Sequence, residues 1–255
     1  MENHVCVKGH MLGEGKPLVC VSVMEKDRDG IIKEVRRLTG LGVEMIEWRV
    51  DAFADAKSPN AIREVLYELE GLVSDIILVY TFRSKRQGGL MELPKELVYD
   101  IHQVAAETKV ADFIDVEYFE GRKPNREIAL LQEMGVRVIA SHHDFAETPE
   151  RKVMQMVLEQ MEESGADIVK LAVMPQTMED VLHLLDVTNA FHTYHPNQLL
   201  ITMSMGTMGS ISRIAGEYFG SCVTFGAGEQ ASAPGQLPAE QLNHVLSVMH
   251  QCITG

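Results

Sequence analysis

Cysteine is scarce in this sequence, and no cysteine pair has the spacing of a metal site or a redox motif. The four cysteines are scattered along the 255 residues, at positions 6, 20, 222 and 252. Dispersed thiols of this kind are typical of reduced cysteines in a cytoplasmic protein, and they argue against a disulfide framework or a structural zinc site. We therefore expect a cytoplasmic chain that binds no metal.

Long apolar runs are also missing. No segment approaches the roughly 20 apolar residues that a membrane-spanning helix needs, and residues 1–4 do not begin a basic leader, so we expect no secretory signal. Positive charge is in the minority, with 23 Lys and Arg against 37 Asp and Glu and a net charge of −14. This balance disfavours nucleic acid and anionic membranes as partners, although a few local arginines can still bind a small anionic substrate.

Cofactor motifs are absent as well. The sequence has no Walker loop, no dinucleotide-binding glycine pattern after its first predicted strand, and no metal-ligand spacing. We therefore expect the chemistry to depend on side chains alone, without a cofactor.

Short β-rich runs alternate with longer helical patterns, and the alternation repeats eight times. The predicted strands are 18–23, 44–49, 76–82, 112–117, 136–141, 166–172, 198–203 and 222–225. The predicted helices are 29–39, 59–71, 95–107, 125–133, 149–163, 178–192, 208–218 and 237–251. Eight β-then-α units with right-handed crossovers predict an α/β fold of the (β/α)8 TIM barrel type, for which this length is typical. A doubly wound open sheet is the competing architecture.

Local signals refine this prediction. Ser58 and Thr148 each precede a proline, which is typical of an N-cap before the first helical residue, and Thr177 with Asp180 forms a capping-box pattern. Before the first unit, residues 5–7 and 18–20 flank a glycine-containing turn at 13–15 and predict a β-hairpin that closes the bottom of the barrel. No linker divides the sequence, so residues 1–255 are expected to form a single barrel domain.

Ionisable residues interrupt the apolar strands near their carboxyl ends, where the active sites of barrel enzymes lie. They are Glu47, Arg49 and Asp51 around the second strand, Arg83 after the third, Asp115 and Glu117 in the fourth, His142 and His143 in the fifth, and Lys170 in the sixth. Residues two apart share a face of a strand, so Glu47 and Arg49 point inward if Trp48 faces the helices. A single such pair is more often structural, but here five strands bring charges towards one axis.

Lys170 is the most informative of these residues, because lysine is almost never buried without a specific role. Desolvation and nearby cations lower the pKa of buried amines in general, and such amines form Schiff bases with carbonyl substrates. Arg49, Arg83 and Arg213 could provide those cations and bind a carboxylate, while His143 is suited to proton transfer. These residues together predict an imine-forming lyase.

Several short motifs resemble those of the type I 3-dehydroquinate dehydratase family. They are Glu47 to Asp51 (EWRVD), Thr81 to Ser84 (TFRS), Ser141 to Phe145 (SHHDF), Asp167 to Ala172 (DIVKLA), Met203 to Gly206 (MSMG), the stretch from Ser212 and Arg213 to Phe225 and Gly226, and Ser232 to Gln236 (SAPGQ). Their order holds from Ser22 to Gln236. Each motif alone is weak, but the ordered set is specific.

The resemblance implies that Lys170 forms a Schiff base with 3-dehydroquinate and that His143 is the general acid and base of its dehydration to 3-dehydroshikimate, within the shikimate pathway. It also implies a homodimer without a cofactor. The implied substrate-binding residues are Ser22, Glu47, Arg49, Arg83, Met203, Met205, Arg213, Phe225, Ser232, Ala233 and Gln236. Arg213 would bind the substrate carboxylate, and the loop 228–238 would close over the substrate.

One residue departs from the family pattern. Many members carry a glutamate that bonds the catalytic histidine from the loop after the third strand, and this chain has Gln87 there. A glutamine oxygen can still accept a hydrogen bond and orient His143, but it brings no full negative charge. We therefore expect a lower pKa for His143 than in relatives that have the glutamate.

Two alternatives remain open at this point. A class I aldolase or transaldolase would use the same fold and the same lysine chemistry, with phosphate bound by turns at 205–207 and 226–228. A non-catalytic sensor of pathway ligands would bind without turnover. The arginines and the ordered motifs disfavour the aldolase, and the presence of Lys170, His143 and Arg213 together argues against the sensor.

Overall fold

The computed structural model describes residues 4–229 and 231–255; position 230, inside the predicted loop 228–238, and residues 1–3 lie outside the described residues. The strands are Val5–Val7 (β1), His10–Leu12 (β2), Leu18–Val23 (β3), Met45–Arg49 (β4), Ile77–Thr81 (β5), Phe113–Glu117 (β6), Arg137–Asp144 (β7), Ile168–Val173 (β8), Leu199–Ser204 (β9) and Val223–Gly226 (β10). The helices are Arg28–Gly40 (α1), Pro59–Leu69 (α2), Lys95–Thr108 (α3), Asn125–Glu133 (α4), Arg151–Glu162 (α5), Met178–Tyr194 (α6), Ser210–Ile214 (α7), Gly216–Phe219 (α8) and Ala239–Thr254 (α9). Short 3-10 turns occupy Val50–Ala52 and Lys85–Gln87.

The eight long strands form one parallel sheet in the order β10-β3-β4-β5-β6-β7-β8-β9. The two outer strands meet where Leu200 bridges to Ser221 and the Cys222 N–H donates to the Leu200 carbonyl at 2.8 Å. The sheet therefore curls into a barrel with the helices outside, and the predicted (β/α)8 architecture is confirmed over the open sheet.

Apolar side chains fill two separate regions, because alternate strand residues face opposite ways. The outward residues, such as Trp48 and Tyr80, pack with the helices, where Trp48 meets the edge of the Tyr80 ring at 5.7 Å. The inward residues near the amino ends of the strands, such as Met45, Ile77 and Phe113, form a second apolar cluster inside the barrel. The charged inward residues begin above this cluster, so the barrel is apolar at its bottom and ionic at its top.

The N-terminal hairpin exists, but its predicted second strand was wrong. β1 pairs with β2, whereas residues 18–20 belong to the barrel strand β3. The reason lies in the two-residue turn, because Lys8 and Gly9 both have positive φ (49° and 83°), the geometry that suits a tight hairpin. Val7 and Leu12 pack into the inner cluster, so the hairpin closes the bottom of the barrel.

Most local signals were also correct. Ser58 accepts a hydrogen bond from Ala61 N–H, and Thr177 with Asp180 forms the capping box. Thr148 was wrong as an N-cap, because α5 begins only at residue 151 after Glu150. The preceding segment is held away from the helix by bonds such as Met174 N–H to the Glu147 carbonyl, at 3.1 Å.

The predicted helix 208–218 is divided into α7 and α8, since the backbone at Ala215 leaves helical geometry (φ −95°, ψ 3°). No helix within the described ranges combines the length and hydrophobicity required to cross a bilayer.

Candidate active site

A cavity opens at the carboxyl ends of the barrel strands, above the inner apolar cluster. All of the site residues predicted from the sequence line it except Arg213, and it also contacts Gly88 and Phe145. The predicted residues in its wall are Ser22, Glu47, Arg49, Arg83, Gln87, His143, Lys170, Met203, Met205, Phe225, Ser232, Ala233 and Gln236. Residues that are far apart in sequence therefore meet in one pocket, since parallel strands carry their carboxyl ends to the same mouth.

Lys170 projects from β8 into this cavity and is only 3% exposed. Its Nζ lies 3.2 Å from Oδ2 of Asp115 and 3.7 Å from Oε1 of Glu47, and 4.5 Å from the centre of the Phe225 ring. The sequence had suggested arginines as the charges that act on this amine. The groups in direct contact are carboxylates instead, so the amine is charge-compensated within the pocket.

Arg83 connects two of the acidic residues on β6. Its guanidinium pairs with Asp115 at 2.8 Å and with Glu117 at 3.0 Å, and it also donates to Ser141 Oγ at 3.0 Å. Burial alone would raise the pKa of Asp115, but Arg83, Lys170 and a hydrogen bond from Ser141 together lower that pKa to about 2. Asp115 is therefore a permanent anion beneath the lysine.

Arg49 reaches the cavity from β4 with its charge already balanced. Its guanidinium makes two parallel bonds to Asp51, at 2.7 and 2.8 Å. The Asp51 carboxylate also accepts the backbone N–H groups of Arg83 and Leu90. Asp51 lies in the 3-10 turn after the strand and is not part of the cavity wall, so its function is to hold Arg49 and the following loop in place.

A chain of hydrogen bonds links Glu47 to the loop that follows β10. Ser22 Oγ donates to Glu47 Oε2 at 2.6 Å, and Ser232 Oγ donates to Ser22 Oγ at 3.0 Å. Gln236 donates to the same Ser232 hydroxyl at 2.9 Å and accepts the Ser232 N–H at 2.8 Å. The described part of the loop therefore lies across the mouth of the cavity in a closed position.

Gly235 allows this loop to approach the opposite side of the mouth. Its φ is +77°, and a Cβ at this position would overlap the carbonyl oxygen of Gly206. The neighbouring Pro234 carbonyl accepts the Gly206 N–H at 3.1 Å. A larger residue at position 235 would therefore push the loop away from the site.

Arg213 lies behind the cavity, on α7, and is fully buried. Its terminal nitrogens donate to the backbone carbonyls of Phe225 at 3.4 Å and Pro234 at 3.1 Å. No carboxylate pairs with it among the described residues, and burial lowers its pKa to about 10. Within the described part of the chain it is a buried cation without a counter-ion, and it contacts both the pocket wall and the loop.

The His143 imidazole on β7 is oriented by Gln87. The Gln87 Oε1 atom accepts the backbone N–H of His143 at 2.9 Å and lies 3.2 Å from Nδ1 of the ring. Because an oxygen faces Nδ1, this nitrogen carries the proton in the neutral ring and leaves Nε2 as the basic atom. The sequence-based suggestion that Gln87 contacts His143 agrees with this geometry.

The electrostatic surroundings keep the ring neutral. Desolvation in the pocket, followed by the positive charges of Arg83, Lys170 and Arg49, holds the pKa of His143 well below its usual range. A neutral imidazole next to a buried amine can accept a proton from a bound molecule. The site therefore combines a buried amine, a neutral imidazole and fixed anions in one desolvated pocket.

Three residues that shape this site had no role predicted from the sequence: Asp115, Gly88 and Phe145. Asp115 was noted as an inward charge, and its position two residues before Glu117 on the same strand was the available signal. Gly88 was not recognised; its φ of +85° and the overlap that a Cβ would make with the Phe145 ring explain why a glycine is present. Nothing in the sequence indicated that Gly88 and Phe145 lie in contact.

Comparisons with known proteins identify the family. The sequence model described as type I 3-dehydroquinase matches residues 19–253. The 3-dehydroquinate dehydratase of Clostridioides difficile strain 630 is 41% identical over 254 residues, covering 99% of this chain and 100% of that protein. A crystal structure of the type I 3-dehydroquinate dehydratase from Clostridium difficile with covalent modified comenic acid has a TM-score of 0.93 at 40% identity, covering 98% of this chain and 99% of that chain. A crystal structure of the 3-dehydroquinate dehydratase from Geobacillus kaustophilus HTA426 has a TM-score of 0.94 at 31% identity, with 98% and 99% coverage. This chain belongs to the type I 3-dehydroquinase family.

Proposed function

We propose that this protein dehydrates 3-dehydroquinate to 3-dehydroshikimate through an imine on Lys170. The observation that carries the proposal is the placement of Lys170, the one lysine among the buried described residues, in the same pocket as the oriented base His143. The related structure that holds covalent modified comenic acid supports a site with a nucleophile.

The reaction begins when the Lys170 amine attacks the C3 ketone of the substrate, and loss of water gives a protonated imine. His143 removes a proton from C2, and the electron pair moves into the imine to form an enamine. The enamine then expels the C1 hydroxyl, which takes the proton from His143 and leaves as water. Addition of water to the conjugated imine releases 3-dehydroshikimate and restores the amine.

The anions around Lys170 suit this sequence of charges. Asp115 and Glu47 lie within 3.7 Å of Nζ, and the protonated imine carries its positive charge at that same atom. The carboxylates can therefore stabilise the electron-accepting intermediate without moving, which is how preorganised charges accelerate reactions.

We assign the remaining residues of the pocket, and Arg213 behind it, to substrate binding. Arg213 would pair with the substrate carboxylate, and Glu47, Arg49 and Arg83 would orient its polar groups. The apolar side chains Met203, Met205 and Phe225 would pack on the ring. Ser22, Ser232, Ala233 and Gln236 would enclose it when the loop is closed.

The aldolase alternative loses support from the loops after β9 and β10. A phosphate would need free backbone amides there, but the Gly206 N–H bonds the Pro234 carbonyl at 3.1 Å and the Ala227 N–H bonds the Leu237 carbonyl at 2.7 Å. The amides are used within the protein, which favours a substrate without phosphate.

The proposal is tested by trapping the imine. Borohydride added with 3-dehydroquinate should reduce the imine and add mass to the peptide containing Lys170, while borohydride without substrate should add none. The Lys170→Met variant, which keeps the side-chain length without the amine, serves as the control. An active enzyme that forms no adduct at Lys170 would contradict the imine mechanism.

Turnover itself is measured by the absorbance of the conjugated enone. A rise in this absorbance after 3-dehydroquinate is added distinguishes an enzyme from a ligand sensor, which would bind without turnover.

We further infer that the reaction serves the shikimate pathway in the cytoplasm. We also infer that residues 1–255 form one domain and that this domain assembles as a homodimer. Sedimentation of the purified chain tests the assembly.

A further inference from the structure

Gln87 does not contact His143 alone, because its amide nitrogen faces an acidic residue from another loop. The Gln87 Nε2 atom donates to Glu120 Oε1 at 3.1 Å. On the other side of the same amide, Oε1 lies 3.2 Å from His143 Nδ1. A carboxylate, an amide and an imidazole thus form a continuous row that ends at the proposed base.

Glu120 is placed for this contact by the loop after β6. Its side chain is about one quarter exposed, and its second oxygen lies 3.5 Å from the guanidinium of Arg86, which is 76% exposed. Its backbone carbonyl accepts a bond from Lys95 Nζ at 3.0 Å. The carboxylate is therefore divided between a buried amide and a solvated arginine.

The contact settles which end of the Gln87 amide faces the histidine. If the amide turned over, its NH2 group would meet the backbone N–H of His143, and its oxygen would meet the Glu120 carboxylate; both contacts are repulsive. Nδ1 would also lose its acceptor, and the proton would move to Nε2, the atom that must act as base. A carboxylate behind the amide also polarises it, which makes Oε1 a stronger acceptor.

We propose that Glu120 is a positioning residue that acts on His143 through Gln87. It fixes the tautomer of His143, and its carboxylate supplies, through the Gln87 amide, the negative charge that Gln87 itself lacks. The inference rests on the proposed function for the catalytic importance of His143, but the effect of Glu120 on the tautomer and pKa of His143 does not depend on turnover. Among the described residues, Glu120 is the acidic group that bonds the Gln87 amide.

Other charges also act on this row. Arg83 after β5, Lys170 on β8, Arg49 on β4 and the neighbouring His142 all disfavour the protonation of His143. Around Glu120 the cations are Arg86 in the 3-10 turn and Lys95 on α3. Any change in the titration of His143 must therefore be compared with a variant that removes one of these cations.

Four variants separate the charge from the hydrogen bond, and the first, Glu120→Ala, removes both. Glu120→Gln keeps an acceptor for Gln87 but removes the charge, and should lower the pKa of His143 by roughly half to one pH unit, with a roughly threefold to tenfold lower kcat and little change in KM. Arg86→Gln removes the exposed partner of Glu120 and should leave the tautomer unchanged. The double exchange Gln87→Glu with Glu120→Gln moves the charge next to the ring and should raise the pKa above that of the parent protein.

The readout is nitrogen-15 NMR of the imidazole, with the His143 signal assigned by its loss in His143→Asn. The inference is supported if the parent protein shows the Nδ1–H tautomer, Glu120→Ala loses it, and the double exchange raises the pKa of His143 above the parent value and recovers the kcat lost in Glu120→Gln. Equal effects of Glu120→Gln and Arg86→Gln would overturn it, since these would reflect a disturbed loop. The spectra need no substrate, so an inactive protein with the expected titration would contradict the proposed function alone.

Discussion

Replacement of Asp115 by asparagine should destabilise the fold more than any exposed charge change. The carboxylate is fully buried between Arg83 and Lys170, and its pKa is about 2 instead of the ordinary 3.8. This difference corresponds to about 2 kcal/mol of folding free energy at neutral pH, at about 1.4 kcal/mol per pH unit. The variant also leaves two buried cations with one fewer anion, and breaking such a pair costs about 3–5 kcal/mol. We expect a loss of about 2–5 kcal/mol.

Urea unfolding at pH 7, followed by circular dichroism, measures this loss through the transition midpoint. The pKa of Asp115 is depressed in the folded state, so its contribution is present above the unfolded pKa and disappears as the pH falls through about 2. The difference between the parent and the variant should therefore shrink to about half at pH 3. Asp186→Asn is the matched control, because Asp186 pairs with Arg151 on the surface and is 57% exposed. A loss below about 1 kcal/mol, or one equal to the control, would refute the reasoning.

Three further predictions concern the site and the thiols. Since desolvation and neighbouring cations lower the pKa of His143 and the neutral ring is the proposed base, kcat/KM should stay level through neutral pH and fall only with an inflection below 6.5; an inflection above 7 would contradict this. Gly235→Ala should lower kcat/KM about tenfold or more with an unchanged unfolding midpoint, because the loop cannot close; parent-like kinetics would argue against closure as a requirement. Burial raises the pKa of Cys222 to about 12 and that of Cys20 well above its usual range, so a disulfide reagent should label only the exposed Cys6 and Cys252 before unfolding.

The architecture could be predicted from the sequence because its signals repeat and are local. Each β-then-α unit carries its own strand pattern and often its own cap, such as Ser58 or Thr177, and eight units leave few arrangements. The errors arose where contacts from distant residues decide the outcome. Thr148 has the sequence of an N-cap, but its segment lies outside the helix, where the N–H of Met174, just after β8, bonds the Glu147 carbonyl. The hairpin partner was wrong because the left-handed turn at Lys8 was not recognised.

The residues of the site could be predicted from the sequence, but the contacts between their side chains could not. Strand alternation was enough to place Lys170 and Glu47 inside the barrel. It could not show that Lys170 contacts Asp115, or that Glu120 lies behind Gln87, because these contacts depend on side-chain directions in different loops. Motif resemblance was equally silent on Glu120, which lies outside every motif that carried it.

The distribution of charge in the site distinguishes Arg213 from the other buried cations. Arg49, Arg83 and Lys170 each have a carboxylate within 3.2 Å, so their burial is compensated inside the protein. Among the described residues, the partners of Arg213 are the carbonyls of Phe225 and Pro234, and an uncompensated buried cation lowers stability unless an anion pairs with it. An incoming carboxylate would supply that anion, and it would do so at the residue that also binds the loop through Pro234. Binding of an anionic substrate and closure of the loop would thus act on the same guanidinium, which is a physical reason for Arg213 to lie behind the pocket and not in its wall.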